Sequence, residues 1–514
     1  MPSPDTAVSG LPEPSQDDHN LIGFCFDNTY ARLPERFYAR LNPTAVAAPR
    51  LIRVNEDLAC RLGLDPDALA STTGLEILAG NRIAAGAEPL ALAYAGHQFG
   101  HFVPQLGDGR TNLLGEVIAP DGARYDIQLK GSGPTPFSRR GDGRAALGPV
   151  LREYLVSEAM AALGVPTTRA LAAVTTGESV LREAELPGAI LTRVAVSHLR
   201  VGTFQYFAAQ GDSEAIRTLA DYAIARHYPE AAQAPQPYRA LLDAVIARQA
   251  SLIAQWMLFG FVHGVMNTDN SAISGETIDY GPCAFMEAYD PAMVFSSIDR
   301  QGRYSYSNQP HAAHWNLARL AESLLPVMAQ EAGSEEAALA ACYEALATFS
   351  IQFEAARTTG LRHKLGLTTE EPGDAELAHD LLGRMAANRA DFTLVFRRLC
   401  DAAVTPEADG EVRTLFTDPA AYGSWATKWR QRLQQEPAST QERCASMRRA
   451  NPLFIPRNHL VEEAIDAAVE QQDLQPFDQL LDVVTHPYED RPYLERYATP
   501  ARPEQRVFQT FCGT

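Results

Sequence analysis

The stretch HGVMNTDNSAISGETIDYG, His263 to Gly281, carries two acidic positions ten residues apart, Asp269 and Asp279, bracketed by small and polar residues. The apolar run WMLFGFV (Trp256 to Val262) comes before it and reads as the end of a buried helix. Gly264 and Asn267 then require a loop. Thr277, Ile278 and Asp279 make a short strand-like step closed by Tyr280-Gly281. Asp269, Asn270 and Asp279 thus leave rigid elements and converge. An Asn and an Asp so placed are hard oxygen ligands suited to Mg²⁺, which shares its remaining sites with water and phosphate. The plainer reading of the same residues is a turn pair, Asp269-Asn270, and a capping Asp279, because Asp and Asn favour turns.

The order of these residues resembles the catalytic segment of protein kinases. There a loop Asp precedes a metal-binding Asn, and a D-F-G Asp follows on the next strand. With Asn270 set on the metal Asn and Asp279-Tyr280-Gly281 on D-F-G, the kinase base falls on Val265. A valine cannot take a proton, and Asp269 is the nearest replacement.

Composition bounds the rest. A chain of 514 residues has room for two or three domains or one enzyme with two lobes. Its 44 basic and 63 acidic residues give a net charge of −19, which argues against a general nucleic-acid binder. No apolar run reaches the about 18 residues of a membrane span. The opening MPSPDTAVSGLPEPSQDDHN is acidic and Pro-rich, unlike a signal or transit peptide, and residues 1–20 read as a disordered tail. Seven scattered cysteines form no CxxC pair, and the expected compartment is the cytoplasm.

Taken in order, residues 21–80 read as mostly helical, with YARLPERFYARLNP at helical spacing. In AYAGHQFGHFVPQLGDGR, His97 and His101 are four apart, a conceivable metal pair without a third ligand nearby; packed histidines are the simpler reading. NLLGEVIA and ARYDIQLK read as a hairpin joined by Pro120-Asp121-Gly122. In its second strand Tyr125, Ile127 and Leu129 alternate with Asp126, Gln128 and Lys130, so Lys130 points off the apolar face.

Next comes the loop GSGPTPFSRRGDGRAALG, rich in glycine and carrying Arg139, Arg140 and Arg144. Glycine permits close backbone approach, and arginine forks match phosphate oxygens. An upstream GDGR (Gly107 to Arg110) repeats the pattern, and two such segments around a strand-end lysine point to an anion site. PVLREYLVSEAMAALG reads as a helix, with Pro149 in its first turn and Gly164 at its end. Glu153 and Glu158 are both candidates to meet Lys130, the order of elements found in the kinase small lobe. AILTRVAVSHLRVGTFQYF begins as a strand and carries Arg193 and Arg200; residues 237–260 read as a long helix leading into the catalytic loop.

LKGSGPTPFSRRGDGR, LREYLVSEAM, HGVMNTDN and DYGPCAFM, in this order, resemble the selenoprotein O family, protein adenylyltransferases with a pseudokinase fold. The likeness runs from about Gly96 to about Leu325 and recurs in NPLFIPRNHLVEEAI (Asn451 to Ile465). It implies an α+β, protein-kinase-like (pseudokinase) two-lobe fold with a helix-rich large lobe. The divisions then expected are a tail over 1–20, a small lobe over 21–205, a large lobe over 206–480 with the catalytic loop, and a C-terminal tail over 481–514.

The resemblance further implies a nucleotide site at Gly107, Gly109, Arg110, Lys130, Asp142, Gly143, Arg193, Arg200 and Asp279. It pairs Glu153 with Lys130, makes Asp269 the proton acceptor, and makes Asn270 and Asp279 the metal ligands. Cys512, third from the end, takes the place of the family's redox-active residue. Cys283, just past D-Y-G, is a candidate disulfide partner for it. The implied reaction moves AMP from ATP to Ser, Thr or Tyr hydroxyls of proteins with Mg²⁺ or Mn²⁺, without nucleic acid or membrane as partner. Two alternatives stay open: an ordinary kinase transferring the γ-phosphate, and a non-catalytic nucleotide-binding scaffold. Taken as a solvated carboxylate, Asp269 would titrate near about 4 and act more by positioning than by removing a proton.

Overall fold

The computed structural model describes residues 22–511. The tail expected over residues 1–20 and Cys512 lie outside the described residues. The N-terminal half is built on strands β1 (Tyr38–Arg40), β2 (Arg50–Val54), β3 (Leu90–Leu92), β6 (Thr111–Ile118), β7 (Arg124–Lys130), β8 (Ala145–Ala146), β9 (Arg169–Leu181) and β10 (Glu185–Ala195). They form one sheet in the order β1-β3-β6-β7-β10-β9-β2, with β8 beside β10 and antiparallel neighbours throughout. A separate hairpin, β4 (Gly96–Gln98) with β5 (His101–Val103), stands off this sheet.

The pleat sorts β7 and β10 into two chemistries. Ile127, Leu129, Ile190 and Val194 pack with Leu58, Leu69 and Ile77 of the short helices α1 (Glu56–Leu62), α2 (Pro66–Ala70) and α3 (Thr72–Leu78). The alternate residues point the other way. There Leu191 lies opposite Lys130, and Arg193 opposite Gln128. This second face is also closed. Gln128 is fully buried and Lys130 is 8% exposed, so the strand-end lysine is not a solvated charge.

Helix α4 (Leu147–Ala162) closes that face. Its buried residues run from Leu147 to Met160, Arg152, Glu153 and Glu158 among them. The C-terminal helices α15 (Asn458–Glu470) and α16 (Gln475–Val484) cover its outer side: Arg152 pairs with Glu462, and the Tyr154 ring meets Phe477 edge-on at 5.8 Å. The remaining helices, α5 (Val201–Ala208) through α14 (Thr440–Ala450), make up most of the C-terminal half, led by α7 (Pro237–Phe259), α8 (Gln309–Ala332) and α9 (Glu335–Lys364). Among the described residues no helix is long and apolar enough to cross a membrane.

Helix α7 stops at Gly260, whose φ of +71° lets its N–H return to the Met257 and Trp256 carbonyls. A side chain there would also meet the Phe392 ring, at 3.0 Å from an added Cβ. The chain then enters β11 (Phe261–Val262), which pairs with β12 (Ala284–Phe285). The polar stretch from His263 to Cys283 is therefore a loop held at both ends by one small ladder.

Two sequence expectations are corrected. YARLPERFYARLNP is not helical: it forms two 3₁₀ turns, Tyr30–Arg32 and Glu35–Phe37, and then β1. Pro34 interrupts helical hydrogen bonding, and pairing of β1 with β3 takes the backbone that follows. The described part of the expected C-terminal tail, up to residue 511, is not loose either. Tyr497, Ala498 and Ala501 are buried, the Ala501 N–H donates to Glu287 at 3.1 Å, and Thr510 pairs with Ser296 as an isolated bridge.

Candidate active site

A cleft of about 800 Å³ opens between the sheet and the helical half. Lys130, Arg193, Arg200, Asp269, Asn270 and Asp279 all line it, as do Gly107, Gly109, Arg110, Asp142 and Gly143. The residues singled out in the sequence for nucleotide, metal and proton transfer thus meet in one space.

At its base Lys130 Nζ lies 2.5 Å from Glu153 Oε2 and 2.8 Å from Asp279 Oδ1. Arg193 reaches the other Glu153 oxygen at 2.6 Å and Asp279 Oδ1 at 3.7 Å. Burial pushes the Glu153 carboxyl up, but Arg193 and Lys130 together outweigh it and hold the group below its ordinary value. Asp279 shows the same balance more strongly. Burial opposes ionisation, and Lys130, Arg193 and Arg110 hold the carboxyl far below the usual carboxylate range. Its φ of +69° is uncommon for a residue with a side chain, a strained backbone that the surrounding ion pairs fix.

Of the two glutamates open from sequence, Glu153 is the one that meets Lys130. Glu158 binds Arg169 at 2.6 Å and accepts the Ala170 N–H at 2.9 Å, which ties α4 to the start of β9. Five residues along a helix turn the second side chain to another face.

Asp269 sits in a short 3₁₀ turn, Thr268–Asn270. It is 8% exposed, and its Oδ1 is a buried atom with no hydrogen-bond partner among the described residues. Burial pushes its carboxyl up to about 6, against the pull of a backbone hydrogen bond, Arg200 and Gln98. The solvated carboxylate expected from sequence is therefore corrected: a group near 6 is a better proton acceptor at neutral pH. Asn270 donates Nδ2 to the Val265 carbonyl at 3.0 Å. Val265, at the place of the kinase base, is buried and apolar.

Arg200 stands at the start of α5 and acts on the backbone. Its Nη1 donates to the Asp269 carbonyl at 3.1 Å, its Nε to His198, and Cζ lies 4.4 Å above the Tyr94 ring. In the first GDGR, Asp108 is 2% exposed and accepts the Leu92 N–H at 3.1 Å and Gln128 Nε2 at 3.2 Å. Gly107 must be glycine because an added Cβ would lie 2.2 Å from the Phe137 ring. In the second GDGR, Asp142 is held by Arg182 at 2.8 Å and caps the Arg144 N–H at 2.9 Å. Gly143, at φ +67°, has no room for a Cβ against Gly133, 2.1 Å away.

Cys283 is fully buried, and burial pushes its thiol up to about 12. Cys512 is outside the described residues, but Thr510 Oγ1 donates to the Pro282 carbonyl at 2.6 Å, beside Cys283. His97 and His101 do not form a metal pair. His97 Nδ1 lies 2.8 Å from Gln205 Nε2, His101 is exposed, and no cluster of three metal-binding side chains occurs among the described residues.

Sequence reasoning passed over Gln98, Tyr94 and His263. His263 is buried, stacks on Trp256 at 5.1 Å, and reaches the Ile278 carbonyl at 2.9 Å, stitching the loop to the step before Asp279. Its place at the loop's start was the one available signal.

A buried lysine–glutamate pair, an ionised aspartate against it and an amide–carboxylate oxygen set beside an orphaned carboxylate are the equipment of a nucleotide-dependent transferase. The sequence comparisons agree and narrow the class. A sequence profile described as "Protein adenylyltransferase SelO" matches residues 20–485. A Methylorubrum populi protein is 64% identical over 497 residues, covering 96% of this chain and 99% of that one. A Rhodopseudomonas palustris (strain BisB5) protein is 62% identical over 493 residues, covering 96% of this chain and all of its own length. Both carry the name "Protein nucleotidyltransferase YdiU". The chain belongs to the SelO protein adenylyltransferase family and is an enzyme of nucleotidyl transfer.

Proposed function

We propose that this enzyme transfers AMP from ATP to Ser, Thr or Tyr hydroxyls of proteins and releases pyrophosphate. The observation that carries the reading is Asp269 Oδ1, a buried carboxylate oxygen without a partner among the described residues, in a cleft where the Asp279 carboxylate is held by cations. One group is thus poised to accept a proton and the other to stay ionised.

The acceptor oxygen attacks the α-phosphorus in line, a new O–P bond forms, and the bond to the β-phosphate bridging oxygen breaks. The Asp269 carboxylate orients the hydroxyl and takes its proton. Lys130 and Arg193, with the arginines of the Gly131–Gly148 loop, offset phosphate charge. Asn270 and the ionised Asp279 suit a hard divalent cation, Mg²⁺ or Mn²⁺, and the small number of protein oxygens matches a cation that keeps water and phosphate ligands. Such a cation, when bound, supplies further neutralisation of phosphate charge.

We read the sheet with α4 as the small lobe of a kinase-like fold and the helical half as its large lobe, the division falling near α5. The order strand lysine, helix glutamate, catalytic loop, D-Y-G supports this. Among the described residues Cys25, Cys60, Cys283, Cys342, Cys400 and Cys444 form no disulfide with one another, which fits a reducing cytoplasm.

A kinase reading needs a base at Val265, which is apolar; a scaffold reading leaves Asp269 without a reason to be buried unpaired. ATP labelled separately at the α and γ phosphates separates the three. Label from the α position entering protein is expected; γ-label alone means a kinase, and neither label means a scaffold.

A further inference from the structure

The β4–β5 hairpin stands off the main sheet and lies along the catalytic loop, where it engages three consecutive residues. The Phe99 N–H donates to Asn267 Oδ1 at 3.0 Å, the His97 N–H to Thr268 Oγ1 at 2.7 Å, and Gln98 Nε2 to Asp269 Oδ2 at 3.3 Å. The tip is built for this approach: Phe99 has φ +50° and Gly100 φ +87°. The hairpin is anchored from behind by His97, which meets Gln205 of α5 and packs edge-on to Trp315 at 5.1 Å. Asn267 Oδ1 is further held by the Tyr304 hydroxyl at 2.9 Å.

Gly96 shows how close the fit is. A Cβ at that position would lie 2.3 Å from Asp269 Oδ1, so only glycine leaves the carboxylate its place. Gln98 is the side chain that donates to the Asp269 carboxylate, and it lines the cleft. A carboxylate is planar, so holding Oδ2 sets the direction of Oδ1, the oxygen left without a partner. A contact of 3.3 Å is at the long end for N–H···O. Hydrogen bonds of this kind tighten when substrate arrives.

We propose that the β4–β5 hairpin is a positioning element of the transfer site and that Gln98 is its working residue, holding one oxygen of Asp269 so that the carboxylate keeps a single orientation toward the acceptor hydroxyl. This rests on Asp269 being the acceptor-side carboxylate. Gln98 acts through Asp269 and is not required for nucleotide to bind. Removing its amide therefore lowers turnover and leaves nucleotide affinity in place, whereas a residue that merely fills space is replaced harmlessly by one of equal size.

The test compares Gln98→Met, which keeps length and volume without the donor, with Gln98→Ala and Gln98→Glu. The wild type is assayed beside them with ATP labelled at either phosphate, and turnover is followed with whichever label enters protein. An error about which phosphate moves therefore does not decide the role of Gln98. Expected for Gln98→Met is a kcat lowered by about 10- to 100-fold. Its KM for ATP should stay within about twofold and its thermal midpoint within about 2 °C of wild type. Gln98→Ala should match it, and Gln98→Glu, which sets a second carboxylate against Asp269, should fall lower. Wild-type turnover in Gln98→Met, or a loss that appears only in KM or in the thermal midpoint, overturns the proposal. A wild type that transfers neither label overturns it together with the proposed function.

Discussion

Lys130 Nζ bridges Glu153 Oε2 at 2.5 Å and Asp279 Oδ1 at 2.8 Å, so one ammonium on the sheet joins helix α4 to the loop of the helical half. The lysine and glutamate side chains are largely withdrawn from water, 11% and 4% exposed, and that of Asp279 is partly so, at 23%. Attraction between such charges offsets their desolvation only while the set is complete.

The first prediction follows from that completeness. Glu153→Ala leaves Lys130 and Arg193 buried with Asp279 as their shared acidic partner. Loss of one partner of a buried ion set costs about 3–5 kcal/mol. Denaturant unfolding should show a midpoint well below wild type, with transfer lost as well. An unchanged midpoint would mean that water or another carboxylate replaces Glu153.

A second prediction separates the two aspartates. Asp279→Ala should abolish transfer by removing an oxygen ligand suited to the metal, and Lys130→Ala should weaken it strongly by removing a charge that offsets the phosphates. Asp269→Ala should reduce kcat by more than it weakens ATP binding, as expected of the proposed acceptor-side carboxylate. Steady-state kinetics with ATP titrations checks both. Near-normal turnover in Asp269→Ala removes it from the chemistry.

A third prediction concerns Lys364, at the end of α9, which is 4% exposed and has a backbone carbonyl, that of Ala450, at 3.5 Å. Burial drives its ammonium down from 10.5 to about 7. Between those values the unfolded chain holds a proton that the folded protein has released, so this group's contribution to stability rises with pH from 7 to 10.5. Phe396, at 4.6 Å, and two further rings return part of the cost through cation–π contact. Lys364→Met should therefore be more stable than wild type at pH 7, on the order of a few kcal/mol, with the difference shrinking toward pH 10. A less stable Met variant at pH 7 would show that the rings more than offset desolvation.

The fourth prediction is redox control. Thr510 is pinned beside Pro282, two residues before Cys512 and one before Cys283. Oxidised glutathione should draw both thiols into a Cys283–Cys512 bond, accepting their two electrons, and activity should change reversibly with reductant. Because the Cys283 thiol is pushed up to about 12, the bond should form slowly at neutral pH. Peptide mapping under non-reducing conditions decides it, and the absence of that crosslink after oxidation ends the idea.

Local chemistry was legible in the chain itself. The Pro120-Asp121-Gly122 turn with alternating flanks marked the β6–β7 hairpin, and helical spacing from Pro149 to Gly164 marked α4. Likewise the apolar run ending at Val262 placed the loop that carries Asp269, Asn270 and Asp279. Each depends on neighbours within a few residues, where periodicity and turn chemistry act. Only the tertiary structure decided that Glu153 rather than Glu158 meets Lys130, that Arg200 grips backbone, that Gln98 touches Asp269, and that the C-terminal stretch packs down beside Cys283. It also set the basicity of Asp269, about 6 rather than the ordinary carboxylate range, since a carboxyl's affinity for its proton depends on what excludes water from it. The groups that enclose Asp269, Gly96 against its Oδ1 among them, and those that pull the other way, Gln98 and Arg200, come from far along the chain, and no local pattern records where folding will bring them.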